Sequence, residues 1–231
     1  MTKKWLKRSA CLAAVAPVGV VAYLNQYKKR YVVDTTPEEM PLPGDDLLTD
    51  EGRNCITMSI DIDAPPEKVW PLINQIGQDK AGFYSFVTFE RMVHFLITNT
   101  YEPVEEWQDT RVGDWTPYGQ QGIGHEVVLL EPGKYFVGLS DSRRPPAMDR
   151  AYAWTPAGTD EFAWTWGFYL EELPEGRTRL TTRNWSWAEI SNGPLALVVA
   201  GLMWGWSSGV MQTRMLEVIK ACAEGKSFVK F

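Results

Sequence analysis

Four aromatic side chains, Phe162, Trp164, Trp166 and Phe168, alternate with Ala163, Thr165, Gly167 and Tyr169. A period of two puts all four on one face of a strand. Beyond the turn signal Pro174-Glu175-Gly176, Arg183, Trp185 and Trp187 alternate with Thr182, Asn184 and Ser186. Two such strands joined by a short turn form an antiparallel hairpin, which rules out an all-helical fold. With a four-residue turn at 174–177, Leu173 pairs with Thr178, Trp166 with Trp185, Trp164 with Trp187 and Phe168 with Arg183. All four tryptophans then share a face, whereas a slip of one residue would send the second set to the other side.

The rest of the chain supplies a sheet and its cover. Ile56, Met58, Ile60 and Ile62 alternate with polar residues, and Pro65-Pro66-Glu67 opens a helix that Gly77 ends. A second helix is predicted over 86–97, strands over 124–131, 135–141, 162–173 and 178–188, and a long C-terminal helix over 193–224. On that helix Leu197, Ala200, Gly201, Trp204, Ser208, Met211, Met215, Ile219 and Cys222 fall on one stripe. The fold class is α+β.

The stretch Ile60-Asp61-Ile62-Asp63-Ala64-Pro65-Pro66-Glu67-Lys68-Val69-Trp70-Pro71 resembles the opening strand and helix of the SRPBCC superfamily, which includes START lipid-transfer domains, the birch-pollen allergen group and polyketide cyclases. The runs from Gln75 to Ser85, Glu106-Trp107-Gln108-Asp109, Val112-Gly113-Asp114 and Leu42-Pro43-Gly44-Asp45 resemble a bacterial subgroup of that superfamily with an N-terminal hydrophobic segment. The resemblance covers residues 34–224. It implies a helix-grip fold, a curved antiparallel sheet wrapped around the C-terminal helix with a cavity between them. It implies no catalytic residue.

Charge divides the chain. Of 23 basic and 29 acidic side chains, seven basic and no acidic ones lie in 1–30, leaving sixteen basic against 29 acidic beyond it, a net of −13. A chain at −6 overall is no nucleic-acid binder. The fifteen residues 10–24 carry no charge and rise about 22 Å as a helix; residues 9–27 rise about 28 Å, close to a bilayer core. The segment 1–30 is therefore expected to be a single-pass membrane anchor, with secretion after signal cleavage as the alternative. Residues 31–52, acidic and proline-rich, are expected to be an extended solvated tether, with one short helix capped by Thr36 as the alternative, and 53–231 the folded domain.

The expected ligand-binding set is Phe83, Tyr84, Phe162, Trp164, Trp166, Phe168, Arg183, Trp185, Trp187, Trp204, Met211 and Met215. Aromatic faces and adaptable methionines suit a small hydrophobic ligand, lipid or polyketide-like, and a guanidinium among them needs a carboxylate, an aromatic face or a ligand anion. Arg183 is expected to orient the polar end of that ligand. HExxH, CxxC, GxSxG and P-loop motifs are absent, and with only His94 and His125 no histidine-rich metal site can form; no cofactor is implied. His125, at a strand start, is either a structural histidine or a general base. Three function classes stay open: a membrane-tethered carrier, a cyclase or dehydratase working in the same cavity, and an interaction domain with a filled core.

Overall fold

The computed structural model describes residues 21–92, 95–119, 123–144, 151–152, 159–190, 193–194 and 208–228. Its strands are β1 (Asn54–Ile62), β2 (Trp115–Pro117), β3 (Ile123–Glu131), β4 (Tyr135–Asp141), β5 (Ala151–Tyr152), β6 (Thr159–Leu173) and β7 (Arg177–Ile190). They form one sheet in the order β1-β7-β6-β4-β3-β2 with antiparallel neighbours, while β5 lies parallel beside β3. Helices α1 (Pro66–Asn74), α2 (Val87–Met92) and α3 (Ser208–Ala223) accompany the sheet, so the architecture is α+β. It agrees with a helix-grip arrangement.

One face of the sheet, the inner face, packs on α1 and α3. Alternation in β1 turns Met58, Ile60 and Ile62 inward to meet Val69, Leu72 and Ile73 of α1 and Met215, Leu216, Val218 and Ile219 of α3. Burying each such side chain contributes roughly 1.5–3 kcal/mol. Phe162, Phe168 and Leu180 carry the same core across β6 and β7.

The hairpin register corrects the expected one. The turn is three residues, Pro174–Gly176, with Glu175 and Gly176 both left-handed (φ 66° and 67°), so Leu173 opposes Arg177. Trp166 then faces Asn184, Trp164 faces Ser186 and Phe168 faces Thr182, while Gly167 opposes Arg183, Thr165 opposes Trp185 and Ala163 opposes Trp187. This one-residue shift sends Arg183, Trp185 and Trp187 to the outer face. The tryptophans therefore divide two and two.

The outer face explains where the acidic segment goes, and it is not an extended solvated tether. Residues 31–33 run along the free edge of β1, with Val33 N–H donating to Thr57 O (2.9 Å) and Ser59 N–H to Tyr31 O (2.9 Å), which covers an edge that would otherwise template association. Thr36 and Glu39 then exchange hydrogen bonds as a capping box around a single turn. Beyond it the chain crosses the sheet. The Tyr169 hydroxyl donates to Pro43 O (2.7 Å), Leu48 buries against Ala163 and Trp185, and Arg143 bridges Asp50 and Asp141. Carboxylates that looked like a solvating run meet outward-facing cations of the sheet.

At the N-terminal side residues 21–27 are helical and seat on α3. The Tyr27 hydroxyl and the Arg30 guanidinium both donate to Glu217 (2.7 and 2.6 Å), and Thr213 Oγ1 donates to Tyr27 O. Tyr27, the last residue of the 9–27 stretch, is buried there. Residues 1–20 lie outside the described ones, and among those described no helix is long and apolar enough to cross a membrane. The helix expected over 86–97 is described only as Val87–Met92, and residues 95–100 are not helical. Of the expected C-terminal helix, 195–207 lie outside the described residues, Trp204 among them.

Candidate functional site

The inner face of β6 presents Phe162, Trp164, Trp166 and Phe168 as the alternation requires, and neighbouring elements add the expected Phe83 together with Tyr118, His125 and Phe136, which are not in the expected set. Ring centroids of Trp166 lie 5.0 Å from Phe168, 5.9 Å from Phe83, 6.0 Å from His125 and 6.2 Å from Tyr118; Trp164 meets Tyr118 edge-on at 5.4 Å. Phe136 of β4 joins His125 and Phe168. Offset and edge-to-face pairs of this kind each contribute about 0.5–1.5 kcal/mol beyond burial. Phe83 reaches the group from a loop closed by paired hydrogen bonds between Gly77 and Gly82. Gly82 has φ 71°, and a Cβ there would overlap Asn99 Oδ1, so only glycine fits.

Polar atoms in this aromatic interior are sparse and poorly matched. His125 is fully buried, its Nδ1 bonded to the Tyr118 hydroxyl and its Nε2 without a partner. Burial drives its conjugate acid down to about 3, so the ring is neutral at physiological pH. A Cβ on Gly138 would overlap that ring, so its Nε2 edge lies against the backbone of β4. Trp166 Nε1 and Asn184 Oδ1 are likewise buried without partners, on residues directly opposed across β6 and β7. One is a donor and the other an acceptor. Yet Trp164 and Trp166 as whole residues are only partly buried, unlike the aliphatic core beside α1.

Of the residues expected to bind ligand, the structure brings together Phe83, Phe162, Trp164, Trp166 and Phe168, with Met215 buried in the same core and Met211 half-buried on α3. Tyr84 belongs to the core but turns to a polar knot. With φ 55° its N–H donates to Asn99 Oδ1, and its hydroxyl accepts from Gln75 Nε2 (2.8 Å). The Gln75 side chain also bonds Glu102 O, Val104 N–H and Gln108 Nε2. The Gln75–Ser85 and Glu106–Asp109 motifs thus hold the loop that carries Phe83 rather than supplying chemistry.

Arg183, Trp185 and Trp187 stand on the other side of the sheet. Arg183 is 1% exposed and donates to Asp45 (2.6 Å), Met40 O (2.8 Å) and Thr57 Oγ1 (2.9 Å). Trp185 Nε1–H donates to the other Asp45 oxygen (2.9 Å), and the Arg53 guanidinium lies 4.5 Å over its ring. Trp187 is covered by Arg143 at 4.9 Å. The carboxylate that Arg183 requires comes from the Leu42-Pro43-Gly44-Asp45 motif, not from a ligand. No group of side chains among the described residues would hold a metal ion, and Cys55 and Cys222 are thiols rather than halves of a disulfide.

No family model matches the chain, and no curated protein matches it. Among solved structures it is similar to protein MLL2253 from Mesorhizobium loti (17% identity, TM-score 0.36, 76% of this chain and 100% of that one) and to Mll3558 protein from Rhizobium loti (15%, 0.38, 74% and 96%). It is also similar to Ara h 8.0201 (10%, 0.34, 73% and 99%).

Proposed function

We propose that the inner face of the sheet binds a small apolar ligand carrying one hydrogen-bonding head. The observation that carries this is the buried donor of Trp166 and the buried acceptor of Asn184, side by side and unpartnered among aromatic rings. Leaving either group unmatched costs on the order of 1–3 kcal/mol, which a ligand hydroxyl or carboxyl would relieve by accepting from one and donating to the other. His125 does not favour the cyclase or dehydratase reading: a base whose conjugate acid titrates near 3, with one nitrogen held by Tyr118, is weak at neutral pH. The unbroken chain of ring contacts from Phe83 to Phe136 favours a second reading, an interaction domain whose core is filled by its own side chains. The N-terminal segment would hold the domain at a membrane, as its cationic flanks and apolar run suggest.

Titration with a brominated long-chain fatty acid separates the first two readings. Saturable one-to-one quenching of tryptophan emission, diminished in Trp166→Phe, supports the ligand site. Quenching that never saturates, or none, supports the filled core.

A further inference from the structure

Residues 21–27 and α2 join into one aromatic ridge. Tyr23 stacks on Tyr27 at 6.0 Å between centroids, Tyr27 meets Phe86 at 6.5 Å, and Phe86 meets Phe89 at 5.5 Å. The ends of the ridge face solvent, with Tyr23 62% and Phe89 44% exposed and Val21 50% exposed beside them. Cations border it: Lys29, Arg30 and Arg91 are exposed, and Arg214 lies 5.7 Å over the Phe86 ring. Residues 21–30 contain no carboxylate, and on α2 the single acid, Glu90, is buried and bonded to Ser85. The ridge is held to the body at Glu217, which accepts from both Tyr27 and Arg30.

We propose that this ridge is a docking surface for an anionic bilayer. Exposed aromatic rings sit at the headgroup level, and lysine and arginine heads beside them meet anionic phosphates while their stems lie along apolar surface. Each cation at such a surface strengthens binding about fivefold. The remainder of the chain is strongly acidic, so this is the face an anionic bilayer would accept. The inference rests on the membrane reading of the N-terminal segment and adds an orientation to it. With 31–50 folded across the outer face rather than extended, no long tether separates body from membrane. α2 then lies against lipid, and the hairpin tip at Glu175 points away, since α3 runs about 22 Å from Gly209 beside Lys28 to its far end, near Asp63.

The test places a benzophenone side chain at Phe89 or at Glu175 in the full chain and irradiates it in phosphatidylcholine vesicles with or without phosphatidylglycerol. Lipid adducts at 89 at least fivefold above those at 175, falling when phosphatidylglycerol is omitted, are the expected result. Equal yields at the two positions in protein that floats with the vesicles would overturn the docking surface and leave the anchor standing. Protein that does not float with anionic vesicles at all would overturn both.

Discussion

Asp45 is the residue whose replacement should damage this molecule most for its size. Its two oxygens accept from Leu42 N–H (2.8 Å), Arg183 Nη1 (2.6 Å) and Trp185 Nε1 (2.9 Å), fastening the acidic segment to the outer face of the sheet. The pair is asymmetric, with Arg183 1% and Asp45 19% exposed at the side chain. Removing the acid strands a cation that water cannot reach; removing the cation leaves a carboxylate that keeps two donors and touches solvent. Breaking a buried pair costs 3–5 kcal/mol, so with partial exposure of the acid Asp45→Ala should cost about 3 kcal/mol. Arg183→Met should cost less, about 1.5–2.5 kcal/mol, because Met40 O and Thr57 Oγ1 lose a donor but no charge is left dry. Urea unfolding followed by far-UV circular dichroism reads the difference. With a slope near 2–3 kcal/mol/M, Asp45→Ala lowers the midpoint by about 1 M. In the double variant the losses should fall short of additive by 1 kcal/mol or more. Asp45→Ala within about 0.5 kcal/mol of wild type, or Arg183→Met the costlier change, would refute the reasoning.

Further perturbations probe the buried acid of α2 and the inner face of the sheet. Burial pushes the Glu90 carboxyl up to about 7, so the folded state holds a proton that the unfolded chain releases near its ordinary 4.5, and stability falls as pH rises between those values. Glu90→Gln should therefore gain on wild type by up to about 3 kcal/mol between pH 4.5 and 7.5 in urea unfolding, and a difference that ignores pH would contradict this. His125 acts with the opposite sign: neutral when folded, it contributes stability that is lost as pH falls from 6.5 towards 3. Gly138→Ala should cost roughly 1–3 kcal/mol because its methyl meets the His125 ring, and the cost should shrink when His125→Ala accompanies it; additive losses would dismiss the clash.

Strand periodicity was legible in the sequence, and β4 occurs at the predicted residues because Tyr135–Asp141 is bounded by a Pro132-Gly133 turn on one side. Register was not. A single residue in the turn, settled by left-handed backbone at Glu175 and Gly176, decides whether Arg183 faces a ligand or Asp45. Nor was the course of 31–50 readable, since an acidic proline-rich run has the composition of a solvated spacer whether or not cations await it on the outer face. Asp45 is the residue the pattern missed, though the Leu-Pro-Gly-Asp motif marked its place. Tyr118 and His125 entered the aromatic group through pairing of the three-residue β2 with β3, and β2 is too short to show a period. The inner half of the expected set, Phe83, Phe162, Trp164, Trp166 and Phe168, converges because it depends on alternation and on one glycine-closed loop alone.

The proposal of an interior ligand is tested most directly by the native mass spectrum of the full-length protein after exposure to a mixed lipid extract. The prediction is one discrete small molecule bound per chain in the wild type, with binding lost in the variant carrying both Trp166→Phe and Asn184→Leu while its far-UV circular dichroism stays unchanged. A wild-type spectrum at the bare chain mass alone, with both proteins equally folded, would contradict it and leave the aromatic interior as a filled core.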